Sequence, residues 1–184
     1  MHLTVRQMAL TAMMAALISV LAPIAIPLAG GVPVSLATLA VMLTGALLKE
    51  KLGTLAALIY ILTGMIGMPV FANYSAGAAV VFGMTGGYII GYLPLAYITG
   101  LVYRRYSREG TNTAALAAGM VLGTAVLYAL GTAWFMKSTG MTLSASLAAC
   151  VIPFLPGDVL KMAVVAVLAP RLESSVSHVL AVSH

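Results

Sequence analysis

Charge is what this chain has least of. Of 184 residues only 7% are Asp, Glu, Lys or Arg, against about 25% in soluble domains. With 62% hydrophobic residues and a mean hydropathy of +1.09, this scarcity excludes an ordinary soluble domain and points to an integral membrane protein. Cysteine is nearly absent too. Cys150 is the single one, which excludes an internal disulfide or a thiolate metal cluster and leaves a small apolar packing role. The histidines, His2, His178 and His184, all lie near the ends, out of reach of an intramembrane site. There is no His-Glu zinc spacing and no second buried carboxylate for an acid–base dyad, so a catalytic function and a metal site are disfavoured. No GxxxxGK phosphate loop occurs; if ATP drives this protein, another chain binds it. The net charge of +5 does not indicate nucleic acid, because the basic residues form short clusters between apolar runs, as orientation signals do.

A spanning helix needs about 20 apolar residues. The apolar runs predict an all-α protein of six spans in one domain, 1–184, at about 5–21, 35–48, 52–68, 86–103, 113–136 and 144–168. The first run is longer than a typical signal-peptide core and lacks a convincing cleavage site, so it is expected to stay in the mature protein. Pro23 to Pro33 should be irregular, Lys49 to Lys51 a polar turn, and Pro69 to Thr85 a long uncharged link. Arg104, Arg105, Arg108 and Glu109 form a basic loop, and the tail from Arg171 is expected to fray. With the N-terminus cytoplasmic, Arg6, Lys49, Lys51, Arg104, Arg105, Arg108 and Arg171 fall inside and Lys137 alone outside. That asymmetry places both termini in the cytoplasm. The Gly/Pro-rich links and the break at Pro153 to Gly157 then share the outer side. Non-helical backbone at membrane depth is tolerated where it lines a cavity, so these pieces suggest a lidded pocket opening outward. Ordinary surface loops are the plainer alternative.

Asp158 and Lys161 stand out from their apolar neighbours. Three apart, they project from nearly the same helix face, and Pro156 suits the first turn of that helix. From Arg171 back to Lys161 is about 15 Å at helical rise, near mid-membrane. An ionisable pair there marks a ligand or ion path; a self-neutralising pair locking two helices is the bland alternative. Asn73, beside Tyr74 and Ser75, offers a donor and an acceptor, or is a turn residue. Gly86, Gly87 and Tyr88 open the fourth span. The glycines permit close ligand approach with free amides, or pack helices through Gly87 and Gly91, and Tyr88 can stack on a flat ring. Trp134 and Phe135 read as an interfacial belt. Ala12 and Ala16 make a flat helix groove, for internal packing or for a partner membrane protein.

These residues resemble BioY, the biotin-specific S components of energy-coupling factor (ECF) transporters. The resemblance runs from about Ala9 to Pro170, through VPVSLATLAVMLTGALL (Val32 to Leu48), MPVFANYSAGAAVVFGMTGGYIIGY (Met68 to Tyr92), LGTAWF (Leu130 to Phe135) and PFLPGDVLKM (Pro153 to Met162). Met84 stands where the family usually has proline before TGGY, and Ala37 where glutamine is common. The resemblance implies a six-helix S-component fold in a prokaryotic cell membrane, with a site facing outside that takes biotin and needs no cofactor. Asn73, Asp158 and Lys161 would hold the ligand, with Tyr88, Gly86 and Gly87 nearby. Ala12 and Ala16 would dock on an EcfT-like coupling subunit served by two ATP-binding subunits. In this setting Asp158 accepts a ureido N–H, Lys161 meets either the ureido carbonyl or the carboxylate, and the two pair when no ligand is bound. The alternatives are an S component for another vitamin, or an ATP-independent carrier or channel using Asp158 and Lys161 as a charge relay.

Overall fold

Thr4 starts the first helix. Its hydroxyl accepts from the Gln7 backbone N–H, and the Gln7 side chain accepts from the Thr4 N–H, a reciprocal cap that satisfies two otherwise orphaned donors. The protein is seen in a computed structural model that describes residues 3–27, 32–107 and 112–181. Helix α1 covers Val5–Leu21. It buries Leu10, Met14 and Ile18 and leaves Ala9, Ala12, Met13, Ala16 and Val20 exposed on the other side. The Pro/Gly stretch beyond it is more regular than expected. Strand β1 (Ala25–Ile26) pairs antiparallel with β2 (Val34–Ser35), and the intervening residues 28–31 lie outside the described residues.

Helix α2 is assigned as one run, Ala37–Met65, where the sequence predicts two helices. The chain nevertheless reverses at Lys49, which has φ 60° and ψ −172°. A Cβ placed on Gly53 would lie 3.0 Å from the Gly45 Cα, although residues eight apart in a straight helix are about 12 Å apart. The two arms of α2 are therefore an antiparallel hairpin whose turn is one residue rather than the expected Lys49 to Lys51. Lys49 occupies a backbone region almost confined to glycine, at a cost of about 1–3 kcal/mol. Its side chain is held from two other helices: its ammonium pairs with Glu173 at 2.5 Å and lies 4.2 Å above the Tyr103 ring. The Tyr103 hydroxyl donates to the other Glu173 oxygen, and Arg104 pairs with Glu50 at 2.7 Å.

The long link is structured as well. Ala72–Tyr74 form a 3-10 turn and Ala78–Phe82 the short helix α3. Helices α4 (Gly86–Tyr106) and α5 (Thr113–Thr139) follow. Both run past the expected ends, and α5 stops where Gly140 takes a left-handed cap. The expected basic loop is only partly visible, since Arg108 and Glu109 lie outside the described residues. Helix α6 (Leu143–Cys150) breaks before α7 (Leu155–Ala181). The sequence predicts a frayed tail from Arg171, but α7 continues through Pro170 to Ala181, and the Glu173 contacts tie that extension to the bundle.

By length and composition α4 and α5 are each able to cross a bilayer, and α6 with residues Leu155–Val176, bent by 49°, would make a third such unit. Helix α4 lies between α2 and α5, with Leu95 and Ala96 fully buried. Close approach depends on glycine: a Cβ on Gly91 would come within 2.6 Å of Leu127 on α5, and one on Gly100 would overlap the Glu50 backbone nitrogen at the hairpin turn. Gly100→Leu is therefore expected to lose about 1–3 kcal/mol of stability through overpacking, read as a lower melting temperature of the purified protein in detergent; an unchanged melting curve would contradict this packing.

Candidate functional site

Apolar helices offer few polar groups, and several of them converge at the start of α7. Pro156 sits in the first turn of α7, and the Asp158 N–H bonds back to the Phe154 carbonyl at 2.9 Å. One turn on, the Lys161 ammonium donates to Asp158 Oδ1 at 2.9 Å. It also donates to Thr38 Oγ1 on α2, at 2.9 Å. The Thr38 hydroxyl in turn donates to Asp158 Oδ1 at 3.3 Å. The second carboxylate oxygen accepts from the Tyr128 hydroxyl on α5. Asp158 and Lys161 are 4% and 7% exposed, deep enough that an unpaired charge would cost several kcal/mol. Three helices thus meet on one buried ion pair.

The pair borders a deep chamber of about 50 Å³, also lined by Tyr88, Tyr92, Leu127 and Phe154. A second cavity of about 290 Å³ shares Val32, Pro33, Ser35, Tyr88 and Tyr92 with the first and reaches Asn73, Ser75 and Thr85. The two are neighbours across a wall that includes Tyr88 and Tyr92, with the ion pair in the smaller and hydroxyl and amide groups in the larger. The loops meet above it: the Asn73 N–H donates to the Pro23 carbonyl at 3.1 Å. Asn73 and Tyr74 both have positive φ, 55° and 59°. That backbone is tolerated by asparagine and uncommon for a bulky residue. Phe71 anchors the loop from below, its ring 5.6 Å from Tyr60 and edge-on.

Of the residues singled out by sequence, Asp158, Lys161 and Tyr88 line the deep chamber and Asn73 the outer one. Gly86 and Gly87 do not line either. A Cβ on Gly86 would overlap the Val81 carbonyl and one on Gly87 the Trp134 side chain. The Gly86 and Tyr88 amides are already bonded to Gly83 and Thr85. Of Trp134 and Phe135, expected as an interfacial belt, Phe135 is buried, and the half-buried Trp134 donates its indole N–H to the Gly83 carbonyl at 2.9 Å. The glycines leave the room that this indole fills. Ala12 and Ala16 are exposed, away from the cavity.

Sequence reasoning missed Thr38, Tyr128 and Tyr92. Thr38 and Tyr128 left a faint signal, as isolated hydroxyls in otherwise apolar runs. Nothing in one sequence showed that both face Asp158.

The model of the BioY family matches residues 1–178. The chain is 38% identical to a biotin transporter BioY of Rhodobacter capsulatus over 174 residues, 89% of this chain and 91% of that protein. It is 36% identical to the BioY biotin transporter of Thermotoga maritima over 168 residues, 91% and 96% of the two chains. The crystal structure of an S-component for biotin from an ECF-type ABC transporter superposes with a TM-score of 0.86 at 27% identity, covering 94% of this chain and 95% of that one. Matched almost from end to end by its family model and by these relatives, the chain belongs to the BioY family.

Proposed function

We propose that this protein is the biotin-binding S component of an ECF-type transporter, set in a prokaryotic cell membrane. The observation that carries this reading is a count of hydrogen-bonding capacity. A carboxylate has about four lone-pair sites and an ammonium three donors. Among the described residues, Thr38, Lys161 and Tyr128 fill three sites on Asp158, and Asp158 and Thr38 take two donors of Lys161. One acceptor site, on Asp158 Oδ2, and one Lys161 donor remain. A ureido edge, with an N–H beside a carbonyl, complements that pair.

Charge orients the ligand. Asp158 and Lys161 cancel, so the deep end suits the neutral ureido ring, and a carboxylate placed there would face Asp158. Lys161 therefore takes the ureido carbonyl. The apolar thioether ring lies among Tyr88, Tyr92 and Leu127. The carboxylate tail reaches the outer chamber, where Asn73 and Thr85 offer donors. Gly86 and Gly87 act at one remove, by seating α4 so that Tyr88 meets the cavity.

The same reading counts α1, the two arms of α2, α4, α5 and the bent α6–α7 unit as six crossings, with both termini cytoplasmic. The exposed Ala12 and Ala16 face supplies the flat surface for the transmembrane coupling subunit. Two ATP-binding subunits supply the energy, since this chain has no phosphate loop.

Purified protein should bind labelled biotin at micromolar concentration or below; no binding there overturns the reading. Lys161→Ala, which strands a buried carboxylate, should cost about 2–5 kcal/mol of affinity. The amide of the biotin tail should bind nearly as well as biotin, whereas an analogue alkylated on the ureido nitrogens should not; the reverse order would invert the orientation. Ala12→Leu combined with Ala16→Leu should abolish co-purification with the coupling subunit and leave biotin binding intact. Retained co-purification would return that face to the lipid.

A further inference from the structure

Tyr128 belongs to none of the motifs that mark this chain, yet it touches the most constrained group in it. Its hydroxyl donates to Asp158 Oδ2, while Oδ1 is already shared by Lys161 and Thr38. Its ring has a second position to fill. The same side chain borders the deep chamber and an apolar groove of about 230 Å³ between α5 and α6, lined by Ala129, Ala133, Met136, Leu143 and Leu147. One tyrosine thus borders both the chamber and the groove and clamps the carboxylate.

We infer that Tyr128 is a specificity-determining positioning residue, whose hydroxyl leaves Asp158 a single acceptor site in the chamber and so selects an edge made of one donor beside one acceptor. This rests on the biotin-binding reading above. With the clamp in place, Oδ2 receives one ligand N–H, and the spare Lys161 donor faces a position that only an acceptor can fill. A ligand presenting donors along the whole edge sets N–H against N–H at Lys161, a built-in mismatch of the kind that creates specificity. Without the hydroxyl, Oδ2 has room for two donors. The carboxylate is then free to turn, drawing Lys161 onto both oxygens and taking its spare donor away from a carbonyl ligand.

The probe is 2-iminobiotin, the cyclic guanidine in which NH replaces the ureido oxygen; its protonated form is a cation whose recognition edge carries only donors. Wild-type protein should prefer biotin over it by about a hundredfold or more, the scale of one mismatched polar contact plus a like-charge approach. Tyr128→Phe keeps the ring that borders the chamber. In this variant the biotin-to-iminobiotin ratio should fall at least about tenfold, the scale of one hydrogen bond to a charged group. A purely structural role for Tyr128 would lower both affinities together and leave the ratio unchanged, and that result overturns the inference. Melting temperature reports whether the variant folds. If it does not, Tyr128→Leu, which also lacks the hydroxyl, is read the same way; wild type binding both ligands within threefold also overturns the inference. Failure of wild type to bind biotin at all would overturn the function reading and this inference together, whereas biotin binding with an unchanged ratio removes only the role of Tyr128.

Discussion

A lysine and an aspartate buried in an apolar bundle impose a condition on everything around them. Each ion loses several kcal/mol of solvation, and their mutual attraction compensates only if the remaining donors and acceptors are met. Lys161 and Asp158 meet each other at 2.9 Å, but they also require Thr38 from α2 and Tyr128 from α5. The break between α6 and α7 follows from the same need. A helix starting at Leu155, with Pro156 in its first turn, sets Asp158 and Lys161 one turn apart facing the other two helices. Had the helix run straight from Leu143, the proline would have removed an interior hydrogen bond. The chain stops and restarts instead, and the restart carries the charges.

Glycine makes the rest of the geometry possible. Gly91 brings α4 against Leu127, Gly100 seats the α2 turn on α4, and Gly131 leaves space for the Tyr88 ring. Helix association in lipid depends on such contacts, because burying apolar surface yields little when the solvent is itself apolar. Gly86 and Gly87 leave the room in which Trp134 bonds the Gly83 carbonyl.

The helical class and the approximate helix positions were legible because hydropathy is a property of single segments. The break near Pro153 was legible because proline acts locally, and Asp158 and Lys161 because charge in an apolar run needs no partner to be noticed. Other features depend on contacts far apart in the chain. The tail from Arg171 reads as polar and loose, yet Glu173 is held by Lys49, 124 positions away. Thr38 looks like one threonine in an apolar helix until Lys161, 123 positions on, is seen to donate to it. The ladder between Ala25–Ile26 and Val34–Ser35 was hidden by proline and glycine, which signal irregularity more strongly than a two-residue pairing signals a strand. The Trp134 contact was not legible because its partner, the Gly83 carbonyl in the loop before α4, carries no side-chain signature.

Polar side chains link the first arm of α2 to the body of α7 at two places. Thr38 meets Lys161 at one end and Lys49 meets Glu173 at the other, so the pins are eleven residues apart on one helix and twelve on the other. At 1.5 Å per residue the lengths differ by only about one rise, and Pro170 lies within the longer side. Two rods pinned at both ends form a closed frame. Sliding one past the other would break both pins, so together they fix the register of the first arm of α2 against α7. The cavity-side pin is the buried one and the Lys49–Glu173 pin the more exposed one, so the frame is fixed most firmly where it borders the cavity.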